Sequence, residues 1–219
     1  NAVSRDGLAM LDSSGGLLTY QPNLGSTFAV PLDLASEWLA PIAVATFDER
    51  LYILDIGTQA IWKYFPNGDD FTANADDRAI AFTEDPDLEQ VIDFDIFSQD
   101  GGLVLLYRDG RIRYYDTRSG RLEWDESDLL SNGLQTPLVA PTSVEIVGRG
   151  LNASIFVADP GSGRIVQVSR PIGQVLAQYR ATGPNGEELF SQITDFAIAE
   201  TPLRVFVTTG QTLYLAVQE

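Results

Sequence analysis

A chain of 219 residues with 44% hydrophobic residues is too long for a disulfide-stapled miniprotein and long enough to bury a sizeable core. Its 14 Lys and Arg residues against 31 Asp and Glu residues give a formal net charge of −17, and so negative a surface repels phosphate backbones and anionic lipid headgroups. The absence of His and Cys excludes disulfides, thiol nucleophiles, the usual zinc sites and every Ser-His-Asp arrangement.

The ends of the sequence indicate a fragment. The chain begins with Asn1-Ala2 and its single methionine is Met10, so we expect residues 1–2 to be the remnant of a tag-cleavage site. We expect residues 3–219 to form one domain of a larger protein, with any targeting signal or membrane anchor upstream. No apolar run approaches the roughly 18 to 20 residues of a membrane span, so direct membrane insertion of this segment is not expected.

The first elements in chain order form an incomplete unit. Strands are predicted at 8–12 and 17–20, joined by a Ser-Ser-Gly-Gly turn, and an outer strand is predicted near 28–30. The segment before residue 8 offers no clear candidate for a first strand of this unit.

Four fuller units follow, each with three short strands in the same order. Their first strands begin every 50 to 52 residues, at Ala43, Asp93, Ser143 and Asp195. The second strands are apolar and bounded by turn residues, as buried strands are, and lie at 51–55, 103–107, 155–159 and 205–209. Third strands follow a short turn, at 61–64, 112–115, 165–168 and 213–216. Weaker outer strands are predicted at 78–82, 121–124 and 174–179, and a single helical turn at 86–91.

A four-stranded antiparallel unit repeated every forty to fifty residues is typical of an all-β propeller, in which each unit is one blade. We count about five units. Either residues 3–5 supply the outer edge of the last blade and close a five-bladed ring, or the chain is part of a truncated six-bladed ring. A parallel β-helix or two β-sandwiches remain as alternatives, whereas helix-rich folds are excluded because no segment has a sustained 3.6-residue apolar period.

Residues 155–168, with the sequence IFVADPGSGRIVQV, resemble the NHL repeat: an apolar strand ending in Ala-Asp, a Gly-rich turn, then Arg-Ile-Val and another strand. Residues 51–64 are a looser copy. Most of the range 40–217 resembles the propeller region found C-terminal to PPM-type serine/threonine phosphatase domains in some bacterial membrane proteins. The resemblance implies a sensing module outside the cytoplasm, tethered through an absent upstream membrane span, and places any phosphatase activity in the absent upstream domain.

Aspartates recur at the ends of second strands. Asp55, Asp159 and Asp12 directly precede a hairpin turn, where a carboxylate accepts hydrogen bonds from turn N–H groups. Arg164 follows Asp159 across its turn. The pattern predicts structural turn braces and a local Asp–Arg pair, and the alternative is a ring of ligand-binding residues.

Binding residues are predicted on the face that carries the hairpin turns. Trp38 lies in the connection that precedes a first strand, and this connection shares a face with the turns at 56–60, 108–111 and 160–164. An aromatic residue beside arginines is typical of a protein-binding hot spot. The predicted rim consists of Trp38, Gln59, Arg108, Arg111 and Arg164. For Trp38 the alternative is packing within the loop.

Acidic residues on the first strands suggest a metal site as an alternative to the binding rim. Asp93, Asp95, Glu145 and Asp195 lie on strands that line the central channel of a propeller, and converging carboxylates hold Ca²⁺ or Mg²⁺. The layout resembles that of gluconolactonase-like metal hydrolases. However, neither the Asn nor the carboxylate set of those enzymes can be aligned, and Ala43 and Ala45 leave one unit without an acid. An anionic channel without a bound ion is the competing interpretation.

The sequence therefore predicts a non-catalytic, monomeric propeller module that binds a protein, peptide or glycan and needs no cofactor. The alternative is a divalent-metal-dependent hydrolase of the lactonase type with its ion in the central channel. RNA binding, as in some NHL propellers, is disfavoured because 14 cations among 31 anions do not make a basic face.

Overall fold

The computed structural model describes residues 2–4, 7–11, 16–47, 50–67, 70–72, 80–97, 101–183, 185–200 and 202–217. These residues form five sheets in which consecutive strands are neighbours. Sheet 1 contains β1 (Ala2–Ser4), β2 (Gly7–Leu11), β3 (Leu17–Gln21) and β4 (Ser26–Ala29), and sheet 2 contains β5 (Pro41–Phe47), β6 (Arg50–Asp55), β7 (Ala60–Asn67) and β8 (Asp70–Thr72).

Sheets 3 and 4 repeat the four-stranded arrangement, and sheet 5 has three strands in the described residues. Sheet 3 contains β9 (Val91–Ile96), β10 (Gly102–Tyr107), β11 (Ile112–Asp116) and β12 (Arg121–Asp125). Sheet 4 contains β13 (Ser143–Val147), β14 (Ser154–Asp159), β15 (Arg164–Ser169) and β16 (Gln174–Tyr179), and sheet 5 contains β17 (Asp195–Glu200), β18 (Leu203–Thr209) and β19 (Thr212–Val217). One short helix, α1 (Glu126–Ser131), follows β12, and 3-10 turns lie at Ala35–Glu37, Leu88–Gln90, Gly150–Asn152, Pro160–Ser162 and Leu189–Gln192.

The second strands of sheets 2, 3 and 4 form the cores of these sheets. Every residue of β10 and β14 is buried, and so is every residue of β6 except Arg50. Such strands are continuous apolar runs because both of their faces are covered. Outer strands are more exposed, as β4 and β16 show, since each has a neighbour on one edge only.

The chain divides into two compact units: 1–102 with 116–121, and 103–115 with 122–219. In the first unit, residues of sheets 1 and 2 share an apolar cluster that includes Leu17, Ile53 and Trp62. In the second unit, residues of sheets 4 and 5 share a cluster that includes Phe156, Phe196 and Val207. Within each unit, apolar residues of two consecutive sheets thus pack together in one core.

The structure corrects two expectations and adds one short helix. The segment 2–4 pairs with β2 and completes sheet 1, so it is not an outer edge of the last sheet; Arg5 lies outside the described residues. The outer strand of sheet 2 is β8, and the described residues 80–82 form no strand, although the Ile80 N–H donates to the Ile61 carbonyl at 3.3 Å. Helix α1 was not predicted, whereas the helical turn at 88–90 is confirmed.

No helix in the described ranges combines the length and the apolar character that crossing a membrane requires.

Candidate functional site

In sheets 2 and 4, the aspartate at the end of the second strand holds the connection that precedes the sheet. In sheet 2, the two carboxylate oxygens of Asp55 accept hydrogen bonds from the backbone N–H groups of Leu39 and Ala40, at 3.0 and 2.7 Å. In sheet 4, Asp159 Oδ1 accepts from Val139 and Ala140 N–H at 3.0 and 3.2 Å. Both aspartates are fully buried. The predicted role as structural braces is confirmed for these two residues, while Asp12 lies outside the described residues.

Arg164 extends this brace and is 2% exposed. Its Nε donates to Asp159 Oδ2 at 2.9 Å, and its Nη2 donates to the carbonyl oxygens of Thr136 and Pro137, each at 2.9 Å. Its Nη1 also donates to the side chain of Gln178 at 2.9 Å. The predicted Asp–Arg pair is therefore present, and Arg164 is a buried structural residue that offers no charge to a surface ligand.

Trp38 also lies in a core. It is 9% exposed and packs edge-on against Tyr64, with 5.9 Å between the ring centroids. The exposed side chain next to it is Leu39, at 74%. Loop packing, the alternative stated for Trp38, is what the structure shows, and an aromatic anchor on the surface is not formed by this residue.

The remaining predicted rim residues lie in hairpin turns. Gln59 is exposed in the turn between β6 and β7, with a left-handed φ of 52°. Arg108 is exposed in the turn between β10 and β11, and Arg111 is half-buried at the end of the same turn. Arg108 and Arg111 are therefore the two predicted rim residues that the structure places together on an accessible surface.

A small pocket opens beside this turn. Its volume is about 240 Å³, and it is lined by the β10–β11 turn, by α1 and by the segment 134–138. The buried side chains of Ile112, Leu129, Leu134 and Leu138 contribute apolar walls, and Leu130 is 43% exposed. We call it the turn-face pocket. Pockets that hold drug-sized ligands have volumes of about 300 to 1,000 Å³, so this pocket is smaller than that range.

Helix α1, which contributes to the pocket wall, begins with a capping box that is encoded locally in the sequence. Asp125 caps α1 by accepting a hydrogen bond from the Ser127 N–H at 2.9 Å, and Asp128 Oδ2 accepts from the Asp125 N–H at 3.0 Å. This reciprocal capping box is visible in the sequence as Asp125-x-x-Asp128, although an aspartate in place of the usual Glu or Gln makes the signal weaker. The helix presents Leu129 and Leu130 to the pocket. Sequence periodicity missed it because six residues are too few to show a period.

Charges line the opening of the pocket. Arg111 Nε donates to Asp109 Oδ2 at 2.8 Å, and its guanidinium lies 4.5 Å from the centroid of the Tyr107 ring. Burial alone would raise the pKa of Asp109, but hydrogen bonds from the backbone and side chain of Arg111 outweigh it and lower the pKa below its usual value. Asp109 is therefore ionised at neutral pH, and the pair holds Arg111 beside the opening.

Glu126 adds an unsatisfied acceptor. It lines the same pocket, and its Oε2 is buried without a hydrogen-bond partner in the described part of the chain. A buried carboxylate oxygen without a donor is costly. A ligand that brings an N–H or O–H group to this atom would remove that cost.

The acidic residues proposed for a metal do not form a ligand set. Glu145 Oε2 accepts a hydrogen bond from the Ile198 N–H of the next first strand at 3.0 Å, while Asp95 and Asp195 accept from the N–H of the residue that follows each, both at 2.8 Å. Asp93 is half-buried on β9. Within the described ranges, no three acidic side chains lie close enough together to hold a metal ion. The metal-hydrolase alternative therefore gains no support.

No protein-family model matches the sequence, and no curated protein matches it. The solved structures include 616 matching chains, so a likeness of fold is shared too widely to identify a function. One of them is YCF48 bound to D1 peptide, with a TM-score of 0.57 and 14% sequence identity; the match covers 100% of this chain and 62% of that chain. At this identity the likeness concerns the fold alone. Together with the five repeated sheets, it confirms that the chain is an all-β protein with a β-propeller fold.

Proposed function

We propose that this chain is a non-catalytic binding module that recognises an extended peptide segment of a partner protein at the turn-face pocket. The observation that carries the proposal is the pocket itself: apolar walls sized for one side chain, an exposed Leu130 beside it, and charged residues at its opening. Apolar anchors in a pocket, surrounded by polar groups, are typical of protein recognition sites.

Further exposed apolar surface adjoins the pocket along the chain. Val139, at 63% exposure, directly follows the pocket residue Leu138, and the carboxylate of Asp159 holds its backbone in place. A rigid, exposed apolar residue loses little conformational entropy when a partner covers it. We therefore propose that Leu130 and Val139 contact the partner residues on either side of the residue that fills the pocket.

The chemistry of the ligand follows from the groups that line the pocket. An apolar side chain such as leucine or methionine fills it, and a donor such as a backbone amide or a lysine ammonium satisfies Glu126 Oε2. An acidic residue of the partner next to the anchor would meet Arg108, which is exposed. That a solved structure of the same fold is bound to a peptide supports a peptide over a glycan as the ligand class.

A selection from random peptides tests the proposal. Phage-displayed dodecapeptides are selected on the immobilised chain, and enriched sequences are synthesised with a fluorescent label and measured by anisotropy. We expect them to share one large apolar residue with a neighbouring donor. The variant Leu130→Asp places a charge beside the apolar pocket and is expected to weaken binding at least tenfold, about 1.4 kcal/mol.

The matched control is Leu151→Asp, because Leu151 is 81% exposed and lies outside the pocket. It should change the dissociation constant less than about twofold, and thermal unfolding of both variants should match that of the original chain. An equal loss of binding in the two variants, or no enriched peptide at all, would contradict the proposal.

The wider context is also part of the proposal. We infer from the resemblance of residues 40–217 to phosphatase-linked propellers that the module serves as the sensory part of a larger bacterial protein outside the cytoplasm. The natural coding sequence tests this inference. A PPM-type domain and a membrane span encoded upstream are the expected result, and an open reading frame without them would contradict it.

A further inference from the structure

One wall of the turn-face pocket is held by Arg164. Its Nη2 donates to the carbonyl oxygens of Thr136 and Pro137, each at 2.9 Å, and its Nη1 donates to Thr136 Oγ1 at 3.1 Å. Pro137 is one of the residues that line the pocket, and Arg164 is not. A guanidinium is planar and its N–H donors point in fixed directions, so these hydrogen bonds fix the wall at Thr136 and Pro137.

Arg164 is also anchored outside this wall. Its Nε donates to Asp159 Oδ2 and its Nη1 donates to Gln178 Oε1, both at 2.9 Å. Asp159 is buried, whereas Gln178 is an exposed residue of the outer strand β16. The side chain of Arg164 is 2% exposed, so it cannot turn toward solvent without losing these bonds. The wall is therefore connected through Arg164 to β16.

The wall that α1 contributes is attached to the same strand. The Val175 N–H of β16 donates at 3.1 Å to the carbonyl of Asn132, which is the residue that caps the C-terminus of α1. A Cβ atom on Gly133 would lie 3.6 Å from Val175 Cβ, so Val175 lies against the end of the helix. The helix presents Leu129 and Leu130 to the pocket. Strand β16 therefore contacts one wall directly and the other through Arg164.

We propose that β16 positions the walls of the turn-face pocket, with Gln178 and Val175 as positioning residues that do not touch the ligand. Neither residue lines the pocket. The volume of the pocket is about 240 Å³, so a small displacement of one wall changes how closely a side chain fits it. Binding groups must be held within about 0.5 Å of the productive geometry, and walls that are fixed before binding lose little entropy on binding. The inference rests on the proposed function, because it concerns the same pocket.

Gln178 allows the positioning role to be separated from folding. Its side chain is exposed and accepts a hydrogen bond from Arg164. An exposed neutral acceptor contributes little to the free energy of unfolding, because water replaces the bond when the side chain is removed. Without Gln178, Arg164 keeps Asp159 as its anchor outside the wall, so the chain should still fold. The guanidinium loses its connection to β16, however, and a change at Gln178 is therefore expected to alter binding more than stability.

Gln178→Ala is the test variant, and Gln174→Ala is its matched control, because both glutamines are exposed residues of β16. The side chain of Gln174 has no hydrogen-bond partner in the described part of the chain. The probe is the tightest-binding dodecapeptide of the selection, labelled and measured by fluorescence anisotropy. We expect Gln178→Ala to weaken its binding by about three- to tenfold and Gln174→Ala to change it by less than about twofold. Gln178→Glu keeps an acceptor for Arg164 and should bind within about twofold of the original chain.

A second variant changes Arg164 without removing its charge. Lysine at this position keeps a cation beside Asp159, but its single ammonium group cannot reach both the wall and Gln178. Arg164→Lys is expected to weaken binding of the same peptide by about tenfold or more. Asp55→Asn is the control for lost stability, because Asp55 holds the equivalent connection in sheet 2 and does not line the pocket. It should leave binding within about twofold, measured at a temperature at which circular dichroism shows every variant folded.

The position of the wall can also be measured without a peptide. Leu134 and Leu138 line the pocket on either side of the residues that Arg164 holds, and the NMR resonances of their methyl groups report the surroundings of the wall. We expect these resonances to shift in Gln178→Ala and to stay unchanged in Gln174→Ala.

Unchanged methyl resonances in Gln178→Ala would overturn the inference, whether or not a peptide binds and even if Arg164→Lys fails to fold. A peptide whose binding is lost in Leu130→Asp but unchanged in Gln178→Ala and Arg164→Lys would also overturn it, and would leave the proposed function intact. Equal losses of binding in Arg164→Lys and Asp55→Asn would assign the effect to stability and contradict the positioning role. If the selection enriches no peptide, the proposed function fails, and the methyl resonances alone decide this inference.

Discussion

Arg164 and Arg111 each form an ion pair with an aspartate at a hairpin turn, but their environments differ. The side chains of Arg164 and Asp159 are 2% and 0% exposed, whereas those of Arg111 and Asp109 are 24% and 57% exposed. An exposed pair contributes at most about 1 kcal/mol, while removing one partner of a buried pair leaves an uncompensated charge. The first pair therefore supports the fold, and the second remains accessible to a ligand.

Replacement of Arg164 by alanine is expected to lower the free energy of unfolding by about 3 to 5 kcal/mol, because it leaves the Asp159 carboxylate buried and unpaired. Arg111→Ala is the matched control and should cost less than about 1 kcal/mol. Urea denaturation followed by tryptophan fluorescence measures both. Similar losses of unfolding free energy in the two variants would mean that burial does not determine how much each ion pair contributes to stability.

The carboxylate of Asp55 makes stability depend on pH. Burial acts to raise its pKa, but hydrogen bonds from Ala40, Leu39, Thr58 and Gly57 outweigh burial and lower the pKa below its ordinary value of 3.8. A group whose pKa is lower in the folded state stabilises the fold above its ordinary pKa. That stabilisation is lost as the pH falls through the lowered value.

The variant Asp55→Asn cannot ionise and should therefore lose this contribution at every pH. We expect it to be less stable than the original chain by about 1 to 3 kcal/mol at pH 7, because one or more buried N–H groups lose a charged acceptor. The difference should shrink as the pH is lowered from 4 to 3. Urea denaturation across this range checks it, and a difference that stays constant with pH would contradict the assignment.

At the scale of elements, a glycine in the hairpin turn allows the preceding connection to cross close to the turn. A Cβ atom on Gly57 would lie 2.6 Å from Leu39 Cβ, and one on Gly161 would lie 2.9 Å from the Ala140 backbone nitrogen. At Gly110 the corresponding contact is the Leu138 carbonyl oxygen, and φ is +90°. In sheets 2 and 4, these turns and the strand-end aspartates together fix the connection against its sheet.

Gly110→Ala is therefore expected to destabilise the chain by more than about 1 kcal/mol and to distort the turn-face pocket, since both the positive φ and the Leu138 backbone oppose a side chain. Gly25→Ala is the control, because Gly25 has a φ of +59° but no atom within 4 Å of an added Cβ. Gly25→Ala should lower the free energy of unfolding by about 1 kcal/mol, because only the left-handed backbone conformation opposes the added side chain. Thermal unfolding and binding of the selected peptides distinguish the two variants.

The second strands were predictable because each carries its own signal. The second strands at 51–55, 103–107 and 155–159 are apolar runs between turn residues, and the structure places strands over all three. The outer strand of sheet 2 was assigned to 78–82 in place of Asp70–Thr72, because an outer strand is half-exposed and lacks a strong apolar pattern. The binding residues were harder to predict: Arg111 was identified, but the pocket depends on α1, whose six residues show no period.

At the scale of the whole molecule, the excess of 31 acidic over 14 basic residues opposes compaction by self-repulsion. Surface charges separated by more than about 10 Å are largely screened at 0.1 M salt. Folding should therefore be favoured by added salt, in contrast to a protein whose surface is dominated by favourable ion pairs.

We expect the midpoint of thermal unfolding to rise by a few degrees when sodium chloride is increased from about 10 to 150 mM, over which range the Debye length falls from about 30 to 8 Å. Scanning calorimetry measures the midpoint. Choline chloride at equal ionic strength is the control, since screening depends on ionic strength and not on the cation. A midpoint that falls with salt would show that attractive pairs outweigh the self-repulsion.

The sequence by itself determined the all-β character, the repeat of about 50 residues and the order of the strands, because hydrophobic alternation and turn residues are local properties of the chain. Only the tertiary structure decided which predicted residues reach the surface. Trp38 and Arg164 are buried because residues distant along the chain surround them: Arg164 bonds to the carbonyl of Thr136, 28 positions earlier. The pocket beside the β10–β11 turn likewise exists through neighbours that no local pattern specifies.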